Sequence, residues 1–349
     1  MGNTGNEKEP VIPVSNIEVD SGMYYQVGDD DEDQSSGNSQ SECVSLTSSI
    51  TDYPFEHGRR YHKYAEGQYF LPNDETEQDR LDMHHHIFLK LLYGKLTLAP
   101  LDQYPPRRVL DVGCGTGIWA LDMAELYPEA EIVGIDLSPI QPNLVLPNCR
   151  FEIDDAELEW TYPPNHFDFI HSRMLSSSIR DWVHYMGQIY KHLTPGGHVE
   201  IIEHALELGC DDNSYPADCP LSIYMITWKK ALDIMGLANM PVKAKEYLEG
   251  AGFIDITEEI RHMPVGPWPK DPHLKEIGHW ALVNTETSFE AYGLALFTRV
   301  LGMSAESARE LCLGAQRDCG NRHIHVYLSN FFYLARKPYD INVDHPGGM

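Results

Sequence analysis

The sequence predicts an α/β protein built on a mainly parallel sheet, and three observations carry the prediction. Short apolar runs alternate with stretches of helical period between residues 108 and 202. A glycine-rich loop, Asp111-Val-Gly113-Cys-Gly115-Thr-Gly117, joins the first apolar run to the first helical stretch. Acids stand at the ends of the next two runs, Asp136 and the pair Asp154-Asp155. A chain of 349 residues, 42% hydrophobic, is long enough to bury such a sheet on both faces.

The elements follow in order. Residues 1–50 carry ten acids against Lys8 alone, include the run Asp29-Asp30-Asp31-Glu32-Asp33, and continue as a polar tract to Ser49. So little apolar surface does not offset the entropy of ordering. This leader is expected to be disordered, as a solubilising tail or a recruiter of a basic partner. Residues 51–104 read as an N-terminal helical cap. Tyr61, Tyr64, Tyr69 and Phe70 precede a helix through Leu81, Phe88, Leu91 and Leu92, capped by Asn73 or Asp74. His84-His85-His86 within it do not converge on a metal, because consecutive helical residues point about 100° apart. Strands are expected over 108–112, 131–136, 150–153, 167–171 and 198–202, with helices over 118–126 and 182–193 between them. Further helices are expected over 221–235, 242–251, 272–301 and 305–319, with strands at 254–260 and 323–334 and a tail over 339–349.

Composition excludes several functions. A formal charge of −27 leaves no basic face with which to displace counterions, so direct nucleic-acid binding is excluded. No run approaches the roughly 18 apolar residues of a membrane span. The start lacks the charged and apolar regions of a secretory signal, and Asn6 stands where a myristoylated start carries Ser or Thr. Seven cysteines without a CxxC pair fit reduced thiols, hence a cytoplasmic or nuclear setting.

The glycine loop carries the chemistry. Its spacing is GxGxG, with Ile118 following, where a dinucleotide loop reads GxGxxG. Asp111 precedes the first glycine by two residues, and a carboxylate there repels a pyrophosphate and attracts an ammonium. Gly113, Gly115 and Gly117 let a ligand approach the backbone closely. Asp136, with Leu137 after it, is placed to accept from both hydroxyls of a ribose. Asp155 and the Ala156 amide are placed to meet an adenine ring, with Asp154 as a solvated turn residue.

These segments, with Gly134-Ile-Asp136, Asp155-Ala156-Glu157, Phe167-Asp168 and Pro195-Gly196-Gly197, resemble a class I S-adenosylmethionine-dependent methyltransferase over about residues 105–205. More peculiar segments resemble the LaeA-like methyltransferases of filamentous fungi over roughly 55–338. They are Tyr69-Phe-Leu-Pro-Asn-Asp-Glu75, Gln78-Asp-Arg-Leu-Asp82, Gly115-Thr-Gly-Ile-Trp-Ala120, Leu137-Ser-Pro-Ile-Gln-Pro142, Cys210-Asp-Asp212 and Ala335-Arg-Lys-Pro338. The resemblance implies a Rossmann-like seven-stranded sheet and S-adenosylmethionine as cofactor. It implies a methyltransferase domain over 105–338, with helical lid insertions at 211–250 and 261–322. It also implies either a secondary-metabolite enzyme or a nuclear regulator of metabolite gene clusters acting with velvet-type partners. The leader holds no basic import signal, which favours the metabolite enzyme, acting on an oxygen or nitrogen of a small molecule.

On the acceptor side, His171 and His204 are the candidate bases, and Glu203 stands beside His204. A strand-end histidine is more often a hydrogen-bonded structural residue than a base, and each is readable in that way too. Arg173 is placed to hold an acceptor carboxylate or to pair with Asp181. Strand four ends His171-Ser-Arg-Met174 and lacks the Asn/Asp-Pro-Pro-Tyr/Phe turn of amino-group methylases of bases. Tyr162-Pro163-Pro164-Asn165 reads as a plain turn. Tyr224, Trp228, Trp268, Trp280, Tyr292 and Phe297 line an apolar acceptor pocket or belong to the core. Cys312 and Cys319, seven apart on one helix, make no zinc site by themselves. An NAD-dependent oxidoreductase on the same sheet is disfavoured by the glycine spacing.

Overall fold

A computed structural model describes residues 17–20, 53–62, 69–237 and 240–339. Most of the acidic leader, Tyr64 and the tail beyond 339 lie outside the described residues. Of the leader, Ile17–Asp20 pack on the body: Val19 bridges Pro269, Ile17 is buried in a cluster with Trp268, and Glu18 and Asp20 pair with Lys270 and Lys275.

The first described element is a hairpin, β1 (Phe55–Glu56) and β2 (Arg59–Arg60), which the sequence reading does not anticipate. His57 and Gly58 both take positive φ, 54° and 88°, the conformation that a two-residue hairpin turn requires. Helix α1 (Glu75–Leu91) follows, and Asp74 caps it by accepting from the Glu77 amide at 3.0 Å. Arg59 pairs with the same Asp74 carboxylate at 2.6 Å, which ties the hairpin to the helix.

The apolar runs then form the sheet: β3 (Arg108–Val112), β4 (Glu131–Asp136), β5 (Cys149–Ile153), β6 (Phe167–Arg173), β7 (Leu193–Gly209), β8 (Ile254–Pro264) and β9 (Tyr327–Arg336). Seven strands lie in the order β5-β4-β3-β6-β7-β9-β8. The first five pair in parallel, and β9 runs antiparallel between β7 and β8. The helices between are α2 (Ile118–Leu126), α3 (Trp182–His192), α4 (Pro220–Met235), α5 (Met240–Ala251), α6 (Pro272–Arg299) and α7 (Ala305–Cys319).

Both faces of the sheet are covered, as a parallel sheet requires. Leu110, Val112, Val133 and Ile170 pack against α3 and α5, while Val109, Ile132 and Phe169 pack against α2 through Trp119 and Met123. A separate cluster joins α4, α6 and α7 through Leu221, Tyr224, Leu294, Phe297 and Ala308. Each large, fully buried apolar side chain of these clusters contributes roughly 1.5–3 kcal/mol.

Several elements differ from expectation, among them β9, expected over 323–334 and found at Tyr327–Arg336. Strand β7 runs from Leu193 to Gly209, far beyond the expected 198–202, because two of its three acids, Glu200 and Glu203, are satisfied inside the fold. Strand β8 continues through Pro264, so an insertion expected from residue 261 begins after it. Helix α5, expected within the lid, packs instead against α3 and strands β7, β8 and β9. Of the helices expected in the lid, α4, α6 and α7 pack on one another.

Candidate functional site

The glycine loop leaves β3 and enters α2 with three positive φ values: 70° at Gly113, 56° at Gly115 and 81° at Gly117. At Gly113 a Cβ would stand 2.5 Å from Leu175, filling the space the loop keeps open. At Gly117 it would stand 2.3 Å from Phe151 of β5, so this glycine serves packing of α2 on the sheet. Gln141 donates to the Gly115 carbonyl at 2.6 Å, and Thr116 donates to Asp82 of α1 at 2.6 Å. The loop is braced on both sides.

Beside it lies a cleft of about 620 Å³ lined by Gly113, Asp136, Leu137, Asp155 and Ala156, among others. Five of the expected cofactor residues thus meet in one place. Asp136 accepts from the Gly115 amide at 2.8 Å and the Ser138 amide at 2.9 Å, which fixes its carboxylate at the end of β4. Burial pushes it up to about 6, against the pull of those amides. Asp155 accepts from the Glu157 amide at 3.0 Å, and Asp154 from the Asp155 amide at 2.8 Å, so the two acids close a turn at the cleft edge. A fixed carboxylate, an open glycine and this turn fit an adenosine-type ligand.

Asp111, Gly115 and Gly117 do not line the cleft. Asp111, expected to face an ammonium, is 3% exposed and accepts from His171 Nδ1 at 2.9 Å. The reason is register: Asp111 of β3 lies directly beside His171 of β6.

The sequence reading misses the remaining cleft wall. It comprises Tyr69 and, after β6, Leu175, Ser178, Ile179 and Arg180. Glu203 of β7 holds that segment by accepting from the Leu175 and Ser176 amides at 2.8 and 3.1 Å. Burial pushes Glu203 up to about 7, opposed by those same amides. Its role here is to anchor a loop, where the sequence placed it as the neighbour of a candidate base.

A second, larger cavity of about 860 Å³ lies under the lid. Its lining includes His84, His204, Tyr224, Trp228, Phe289 and Tyr292, with Arg80, Asn284 and Asn330 as further polar groups. Of the six aromatics expected, Tyr224, Trp228 and Tyr292 line it. Phe297 packs behind Tyr224, Trp268 donates to the Val326 carbonyl, and Trp280 meets His86 edge-on. Arg80 is buried yet compensated, because Glu77 one turn earlier binds it through two bonds of 2.7 and 2.9 Å.

The two candidate bases part company. His171 is fully buried against Trp119 and lines neither cavity. This corrects its reading as a base reaching the acceptor: its side chain faces across the sheet to Asp111 and Glu200. His204 does line the larger cavity, with Nδ1 at 2.7 Å from the Met174 sulfur. Burial, then the Arg80 charge, pulls His204 down to about 4, so it is neutral and a weak base. Arg173 does not pair with Asp181, which caps α3, and its guanidinium lies over Phe88. Of the three consecutive histidines, His84 faces the cavity, His85 pairs with Asp122 at 2.9 Å and His86 meets Trp280. No metal-binding cluster occurs among the described residues, and none of their helices is long and apolar enough to cross a membrane.

Residues 83–256 match a methyltransferase domain family. The chain is 42% identical over 313 residues to methyltransferase pytC of Aspergillus terreus, covering 88% of this chain and 95% of that one. It is 40% identical to the secondary metabolism regulator LAE1 of Cochliobolus heterostrophus, covering 81% and 94%. It is 35% identical to the protein-methionine methyltransferase laeA of Emericella nidulans, covering 86% and 80%. With the fold and the cleft in agreement, the chain belongs to the LaeA-like S-adenosylmethionine-dependent methyltransferases.

Proposed function

We propose that the protein transfers a methyl group from S-adenosylmethionine to an oxygen or nitrogen of an uncharged, aromatic small molecule. The cofactor's place is the smaller cleft, with Asp136 and Leu137 at the ribose, Asp155 and Ala156 at the adenine, and Gly113 at the methionine end. Gly115 and Gly117 shape the loop behind it, and Asp111 contributes its charge from beneath. The cofactor supplies a methyl already activated on a sulfonium, so the protein's part is chiefly positioning.

The observation that carries this reading is the pairing of two different cavities. Leu175 lines the cleft, while its neighbour Met174 touches His204, which lines the lid cavity. The lid cavity is aromatic, and Arg80, the cation in its lining, is neutralised in place by Glu77. Such a lining favours a neutral, flat acceptor over a carboxylate or a phosphate. His204 is the group positioned to orient the acceptor. Calorimetric titration with S-adenosylhomocysteine tests the cleft, with Gly115→Arg as control. Micromolar binding lost in the control supports it, and absence of binding in the unaltered protein refutes it. Methyl uptake from labelled cofactor into metabolite extracts then tests the acceptor class.

A second reading follows from the relatives named as regulators and as a protein-methionine methyltransferase. In it the chain acts in the nucleus with velvet-type partners and methylates a thioether. A thioether has no proton to lose, which suits a cavity whose lining imidazoles, His84 and His204, are both held neutral by burial. Label appearing in protein, and not in extractable metabolites, would favour it.

A further inference from the structure

Asp111, His171 and Glu200 stand in one row across three adjacent parallel strands, β3, β6 and β7. Residues in register share a face of the sheet, so the three side chains meet. His171 Nδ1 donates to Asp111 at 2.9 Å. Its other nitrogen, Nε2, faces Glu200 Oε2 at 3.8 Å, and neither of these atoms has a hydrogen-bond partner among the described residues. Trp119 stacks on the imidazole at 3.8 Å and 6°, which fixes the ring plane. The other Glu200 oxygen accepts from the Thr97 hydroxyl at 2.9 Å and the Leu98 amide at 2.7 Å.

The tautomer follows from these contacts. With its proton on Nδ1, the ring presents a lone pair to a carboxylate oxygen in a dry space, which is repulsive. A proton at the Glu200 end removes the repulsion. The row therefore holds one exchangeable proton at that end, while the Asp111 end is committed.

We propose that Glu200 and His171 are positioning residues for the cofactor: the proton at their end of the row sets the negative charge of Asp111, two residues before the Gly113 that lines the cleft. This rests on the proposed placement of the cofactor's ammonium near Gly113.

The surroundings keep the proton exchangeable. Burial lifts Glu200 to about 7, against Leu98, Thr97 and the charges of Arg173 on β6 and Arg261 on β8. Burial also pulls His171 down, opposed by Asp111 and assisted by Arg173 and by His85 of α1. His85 is itself paired with Asp122 of α2. The sign is then fixed. A cation binds better to the row without its proton, so cofactor binding expels that proton, and acidification weakens binding.

The test is titration with S-adenosylhomocysteine between about pH 6 and 8, in the full-length protein, Glu200→Gln and Thr97→Val. The ligand's own amino group titrates alike in all three, so differences between proteins report the row. In the unaltered protein, affinity should fall roughly threefold to tenfold more on acidification than in Glu200→Gln. Thr97→Val removes a donor to the Glu200 carboxylate, so its inflection should move to higher pH. Heats in two buffers of different ionisation enthalpy should show proton release that Glu200→Gln lacks. Equal pH slopes in the unaltered protein and both variants overturn the proposal and leave the cofactor site standing. No binding at any pH overturns both.

Discussion

The cofactor cleft and the lid cavity are built on opposite principles. One side of the cleft is set by backbone: Gly113 without a side chain, amides that fix Asp136, and a turn closed by Asp154 and Asp155. The cavity is made by side chains brought from α1, β7, α4 and α6, elements far apart in the chain. A backbone cradle is specific for one ligand and tolerates little change. A wall of side chains is free to vary without disturbing the sheet, which is how one fold accommodates many acceptors. The contrast predicts that damage to the two regions will be felt in different quantities.

The largest effect is expected at the cavity wall, on stability. Glu77→Gln leaves the Arg80 guanidinium buried without its counter-charge, and a broken buried pair costs about 3–5 kcal/mol. Denaturant unfolding should show that loss. An unchanged midpoint would mean that Arg80 swings out to solvent, and that the cavity is less closed than its lining indicates. Next comes the base of the loop. Gly117→Ala places a Cβ against Phe151 at a positive φ, and overpacking with backbone strain should cost about 2–4 kcal/mol. In the cleft the loss should appear as affinity. Asp136→Ala should weaken cofactor binding by about 1–3 kcal/mol while the fold persists. Unchanged affinity in calorimetry would remove Asp136 from the ribose.

How much is legible in the sequence follows the same division. The loop, Asp136 and Asp155 can be read because each is local: a strand end, a turn and the residues flanking it. Leu175 and Arg180 give no signal, since partners distant in the chain hold them at the cleft: Glu203 accepts from the Leu175 amide, and Glu157 from the Arg180 amide and guanidinium. The reading of His171 as a base fails on the two-residue period of a strand. Its place near a strand end is correct, but sequence does not show that its side chain meets Asp111 and Glu200 and lines neither cavity. The length of β7 is hidden for a related reason. Glu200 and Glu203 look like the end of a buried strand until their partners Thr97, Leu98, Leu175 and Ser176 are in place.

The smallest effect sharpens the comparison most, because it sits between the two regions. Glu203 is buried and raised to about 7, so its folded-state value lies above the unfolded one. Such a group contributes stability that is fully present below its unfolded value and is lost as pH rises through about 7. Asp74 works in the opposite direction. Desolvation raises it, but the Arg59 guanidinium and the Glu77 and Arg60 amides outweigh that and hold it low, so its contribution is lost on acidification. Glu203→Gln replaces the titrating group by a neutral one of the same shape that keeps one of the two amide contacts through its oxygen and loses the other, a cost that does not vary with pH. Its melting temperature relative to the unaltered protein should therefore rise steadily from about pH 5 to pH 8, by a few degrees. A difference that stays flat with pH would show that Glu203 remains ionised throughout. The Leu175 wall of the cleft would then be held by a charge rather than by a shared proton.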